Sequence, residues 1–134
     1  MIKVYTNETC PYCKQVKEEL TKNNVEFTNM NTVEHKDQWQ EIVNLTGIPT
    51  VPTIEYNNEY FVPNRDFGTP QQLVIMLKAY TDSPYKQSKR IFERVKTLNY
   101  NIYTAFNKLE QTLKNIELKL DKLNTKENVD KSTD

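Results

Sequence analysis

Several absences constrain this chain before any motif is considered. Among 134 residues there are two cysteines and one histidine, His35. A network of disulfide staples is therefore excluded, and a zinc site on the two thiols would need two more ligands where His35 is the only histidine, so no metal is expected. Net charge is also absent, since 18 basic residues balance 18 acidic ones. No overall field gathers nucleic acid or an anionic membrane, and neither is expected as a partner. No apolar run is long enough for a membrane span, and Met1-Ile2-Lys3-Val4-Tyr5-Thr6 leads straight into strand-like sequence without a secretory pattern. The expectation is a cytoplasmic protein. In that reducing compartment a lone CxxC points to catalysis, redox sensing or metal binding rather than to a structural staple.

The apolar spacing predicts one ordinary domain over 1–82 and an appendage. Ile2 to Tyr5 reads as a strand, Pro11 to Asn24 as a helix with Val16 and Leu20 inward, and Val25 to Met30 as a second strand. His35 to Leu45 carries the helical stripe Trp39, Ile42, Val43 and Leu45, closed by Gly47. Asn57-Asn58 joins two short strands as a hairpin turn, because asparagine tolerates positive φ. Thr69-Pro70-Gln71-Gln72 announces a further helix through Tyr80. The fold class is α/β.

From Asp82 the composition changes. Ser83-Pro84 is a second helix-start signal, and a long amphipathic helix is expected over 83–124, with 125–134 a disordered tail. Its stripe runs Ile91, Val95, Leu98, Ile102, Phe106, Leu109, Leu113, Ile116, Leu120 and Leu123. The steps alternate four and three except around Ile102, a stutter in a heptad coiled coil. Ile91, Val95 and Leu98 are expected to pack on the domain, widened by Tyr85, Tyr100 and Tyr103, and Leu109 to Leu123 to make a homo-oligomer contact.

Cys10-Pro11-Tyr12-Cys13 follows the first strand and opens the first helix. A thiol in the first turn faces unpaired N–H groups and the positive end of the helix dipole, which favour thiolate. Cys10 is therefore the expected nucleophile, and Cys13, one turn inside, the expected resolving thiol.

These residues resemble the glutaredoxin family of the thioredoxin superfamily. The CPYC tetrad matches the dithiol signature, and Gly47-Ile48-Pro49-Thr50-Val51-Pro52 resembles the family's G-x-x-T-V-P segment. The resemblance covers residues 1 to about 80. It implies a thioredoxin-like fold, a four-stranded mixed sheet with about three flanking helices, followed here by the long C-terminal helix. It also implies a cis Pro52 beside the thiols and a Val51 backbone that pairs with the substrate peptide. Pro11, Tyr12, Lys14, Thr50, Val51, Pro52, Arg65 and Asp66 are the expected substrate-binding residues. Asn7 stands where the family commonly has lysine, so Lys14 is the replacement cation, and the usual Gly-Gly-acidic stretch is replaced by Pro63-Asn64-Arg65-Asp66-Phe67-Gly68. No tightly bound cofactor is implied. Glutathione is the expected reductant or co-substrate, with thioredoxin reductase the other candidate donor and ribonucleotide reductase a candidate client. Proline after the first cysteine disfavours an iron-sulfur cluster. The rival reading is an adaptor whose helical tail binds a partner.

Overall fold

The alternation along β1 (Ile2–Thr6) sends Val4 to one face of a sheet and Tyr5 to the other, and both faces are covered. The computed structural model describes residues 1–82 and 88–132, with side chains as far as Lys126. The remaining elements are α1 (Pro11–Lys22), β2 (Phe27–Asn31), α2 (Lys36–Thr46), β3 (Thr53–Tyr56), β4 (Glu59–Phe61), α3 (Pro70–Lys78) and α4 (Lys89–Ser132). The sheet order is β2-β1-β3-β4, with β1 parallel to β2 and antiparallel to β3, and β3 antiparallel to β4. This is the expected four-stranded mixed sheet of the thioredoxin-like arrangement.

Val4, Ile54 and Phe61 pack with Val16 and Leu20 of α1 and Leu73 and Leu77 of α3. Tyr5, Met30 and Tyr60 pack on the opposite face with Ile42 of α2, and Trp39 stacks on Tyr5 at 6.0 Å between ring centroids. Local signals act where the sequence places them. Asn57 and Asn58 have φ of 51° and 61°, the double left-handed conformation of a type I′ hairpin. Thr69 Oγ1 accepts from Gln72 N at 3.1 Å, while Gln72 Oε1 accepts from Gly68 N at 2.8 Å, pinning the start of α3. The second strand starts two residues later than the alternation suggests, because Val25 N donates to Leu20 O at 2.9 Å and so belongs to the turn after α1.

The structure divides into a unit of Met1–Leu98 and a second from Asn99 onward, so the first unit runs past the expected boundary at Asp82. The Ser83-Pro84 start signal and Tyr85 lie outside the described residues. At its other end α4 is helical to Ser132, where the sequence suggests disorder from Thr125; no glycine or proline interrupts it.

The first turns of α4 correct a second expectation. Ile91, Val95 and Leu98 are 66%, 47% and 56% exposed, whereas Glu93 is 1% and Thr97 8% exposed. The docking face is polar because it covers a strand edge. Tyr60 of β4 turns its N–H and C=O away from β3, and Glu93 Oε1 accepts from that N–H at 3.1 Å. The Tyr60 carbonyl accepts from Arg65 Nη2 and Lys96 Nζ, each at 2.9 Å. Thr97 Oγ1 donates to Thr46 O at 2.6 Å, and Arg94 Nη2 to Asn44 O at 2.9 Å, tying the same turns to the end of α2. Covering a sheet edge removes a template for unwanted strand pairing.

Two predictions follow from this packing. Glu93→Ala should cost about 3 kcal/mol in urea denaturation because it removes one partner of a buried ion pair, whereas Val95→Ala should stay within about 0.5 kcal/mol. Comparable losses would contradict the polar docking. Burial first, and the nearby Glu55 carboxylate second, raise the Tyr5 and Tyr60 hydroxyls above the ordinary tyrosine range. The unfolded chain releases these protons near pH 10 and the folded chain keeps them. Stability from this source is therefore complete below about pH 10 and declines above it, by at most about 1.4 kcal/mol per pH unit per tyrosine. Denaturation from pH 9 to 11.5 should show wild type losing stability relative to Tyr60→Phe; parallel profiles would remove the linkage.

Candidate active site

The strand-to-helix junction between β1 and α1 sets the position of both cysteines. Cys10 is the N-cap of α1, in extended backbone geometry, and its Sγ accepts from Cys13 N at 3.0 Å. Pro11 occupies the first helical position, where its missing N–H costs no hydrogen bond and its fixed φ suits the helix. Cys10 and Cys13 form a disulfide, with Cα atoms 5.3 Å apart. The ordinary Cα range for such a bond is thus met by one helical turn. Burial separates the two thiols: Cys13 is 1% exposed, whereas Cys10 is half-buried.

Once the bond is reduced, the cap geometry stabilises negative charge on Cys10. Its sulfur takes the place of the capping oxygen, receives a backbone N–H and sits at the positive end of the α1 dipole. The first turn carries no acidic side chain, and Glu8 is exposed. Cys10 thus combines charge stabilisation with access, the properties of an attacking thiol.

The segment before β3 supplies the opposite wall. The Val51–Pro52 peptide bond is cis, Pro52 is buried, and the Val51 carbonyl oxygen lies 4.0 Å from Cys10 Sγ. Thr50 is exposed, and its carbonyl accepts from Thr53 Oγ1 at 2.6 Å, closing the turn that presents Val51. Tyr12 bridges to the loop after β4 through its hydroxyl, which donates to Gly68 O at 3.4 Å. Partial burial raises the Tyr12 hydroxyl above its ordinary range, so it is a neutral donor here. Lys14 is exposed and lies 3.9 Å from the Glu18 carboxylate. Cys10, Tyr12 and Cys13 thus share the opening of α1, with the Val51-Pro52 turn beside Cys10.

Arg65 and Asp66 are not available in that way. The Arg65 side chain is 1% exposed and donates to Asp66 Oδ2, Glu93 Oε2, Glu93 O, Thr97 Oγ1 and Tyr60 O. Asp66 Oδ2 also accepts from Val62 N at 2.7 Å. The Arg65 guanidinium is consumed in joining the 62–68 loop to α4, and Asp66 Oδ2 braces that loop on Val62 N and Arg65, so a charged peptide would not find the guanidinium free. Gly68 has a contact that the sequence pattern does not announce. Its carbonyl partners Tyr12 and its N–H partners Gln72, and only its position before the Thr69 cap could have indicated this.

The glutaredoxin family model matches residues 2–61, which include the thiols, the Val51-Pro52 turn and all four strands. A glutaredoxin-like 8.6 kDa protein of the rubredoxin operon of Clostridium pasteurianum is 34% identical over 62 residues, covering 46% of this chain and 83% of that protein. The chain belongs to the glutaredoxin family. Glutaredoxin 3 of Escherichia coli (strain K12) is also 34% identical, over 53 residues that make up 40% of this chain and 64% of that glutaredoxin. The family-model match lies within the first unit. The family places the protein among the thiol-disulfide oxidoreductases, and the geometry of Cys10 and Cys13 accords with that chemistry. No described helix is long and apolar enough to cross a membrane.

The difference in burial between the thiols is directly measurable. After reduction, iodoacetamide should alkylate Cys10 at least tenfold faster than Cys13 at pH 7, read by peptide mass spectrometry. Equal rates would refute the assignment of distinct roles.

Proposed function

We propose that this protein reduces protein or glutathione mixed disulfides through its CPYC dithiol. The Cys10 thiolate attacks one sulfur of the substrate disulfide, that bond breaks, and the first substrate thiolate leaves while the other sulfur stays bonded to Cys10. The Cys13 thiolate then attacks the Cys10 sulfur and releases the second substrate thiolate. Two electrons have passed to the substrate, and the dithiol has become the Cys10–Cys13 disulfide. The observation that carries this reading is the asymmetry of the pair: an accessible, helix-capping Cys10 bonded to a sealed Cys13, with the Val51 backbone beside them.

Substrate orientation is assigned to Val51, against which an extended disulfide-bearing chain lies, with Pro11, Tyr12, Thr50 and Pro52 lining its path. Two glutathione molecules return the electrons, and exposed Lys14 is the cation near the thiols that suits a glutathione carboxylate. Thioredoxin reductase is the alternative donor, ribonucleotide reductase is a client of suitable chemistry, and the cytoplasm is a compartment that keeps the dithiol reduced. The adaptor reading draws support from the exposed apolar stripe of α4, because reduction of a disulfide needs no such surface.

Turnover of β-hydroxyethyl disulfide tests the proposal. Glutathione with glutathione reductase should support reduction well above a Cys10→Ser blank. Turnover with thioredoxin reductase alone would reassign the donor, and no turnover with either would leave the adaptor reading in its place.

A further inference from the structure

We propose that residues 106–126 of α4 associate with the same segment of a second copy of this chain, side by side and in parallel. Phe106, Leu109, Leu113, Ile116, Leu120 and Leu123 are 63%, 57%, 52%, 47%, 53% and 59% exposed. Their spacing is three, four, three, four and three residues, an average of about 3.5, so they take the a and d positions of successive heptads. An isolated straight helix has about 3.6 residues per turn, and a seam of period 3.5 stays in line only when the helix supercoils around another. The stutter at Ile102 marks where this regular seam begins.

The flanks of the seam select the orientation. With Phe106 at a, the e positions are Glu110, Glu117 and Asn124, and the g positions are Thr112, Lys119 and Lys126. One flank carries only acidic or neutral residues and the other only basic or neutral ones. A parallel pair of identical helices lays the e flank of each against the g flank of the other, whereas an antiparallel pair lays glutamate flank against glutamate flank. In the parallel pair Thr112 of one helix faces Glu117 of the other and Lys119 faces Asn124, so no like charges meet, whereas the antiparallel pair sets Glu110 against Glu117; the segment accepts a second copy of itself in one orientation. Glu110 also contacts Lys114 of its own helix at 3.6 Å, but both side chains are largely exposed and that pair is weak. Leu118 is 60% exposed and lies off the seam, on the side away from the partner.

Sedimentation equilibrium of the full chain tests the association. The expected mass is twice 15.9 kDa, falling by half in Leu113→Asp/Ile116→Asp with disulfide reductase turnover unchanged. Orientation is read in a Cys10→Ser/Cys13→Ser background carrying Leu123→Cys. In a parallel pair the two introduced thiols face each other, and mild oxidation should link most of the chains. A monomer at 100 μM overturns the proposal. A dimer that fails to cross-link through Leu123→Cys but does so when mixed with a Phe106→Cys chain overturns the parallel arrangement.

Discussion

The outer edge of β4 imposes the constraint on which much of the first unit turns. A strand at the end of a sheet leaves alternate N–H and C=O groups without a neighbour, and Tyr60 is the residue whose groups point outward. Both are satisfied from side chains, by Glu93, Arg65 and Lys96. The same Glu93 carboxylate pairs with the Arg65 guanidinium at 2.7 Å, with side chains only 1% exposed on each side. Isolated, either charge would be costly to bury. Together with Asp66, Lys96 and the backbone acceptors they form a network in which each charge has its partners. The edge of the sheet, the loop after β4 and the opening of α4 are therefore one physical problem with one solution.

That solution reaches toward the chemistry without taking part in it. The 62–68 loop, fixed by Asp66 and Arg65, also carries the Gly68 carbonyl that accepts the Tyr12 hydroxyl, and Tyr12 stands between the two cysteines. The thiols owe their difference to a separate and local cause, the N-terminus of α1. One turn of helix puts Cys10 at the cap, where a sulfur can hold charge and meet solvent, and turns Cys13 into the packing of the domain. Redox competence is thus built by a short segment, while the surroundings that could recognise a substrate are set by distant parts of the chain.

This division explains what could be read in advance. The CPYC cap, the Asn57-Asn58 turn, the Thr69 cap and the alternation of Val4 and Tyr5 are encoded within a few residues, and each appears where its sequence signal lies. Arg65 and Asp66 were legible only as charges near a family binding segment. The partners of Arg65 lie up to 32 residues away in the chain, and no local pattern names them. The first turns of α4 misled for a related reason. The rule that apolar faces seek the domain holds for packing on side chains, but the surface that α4 meets is the polar rim of a strand. Glu93, Lys96 and Thr97, spaced three and one residues apart on the side opposite Val95 and Leu98, were the available signal.

The polarity of the docking face then determines what α4 has left to offer. Hydrogen bonds and ion pairs are directional, so the contacts of Glu93 with Tyr60 N and of Thr97 with Thr46 O admit one rotation of the helix about its axis. An apolar docking face would have tolerated several rotations and consumed the stripe at Ile91, Val95 and Leu98. Instead, the turns of α4 that belong to the first unit are held through their polar side, and the apolar side there remains exposed. A run of exposed leucine and isoleucine carries a standing cost in solubility. Because the domain does not draw on this side chain set for its own stability, that cost is offset only if another surface covers it.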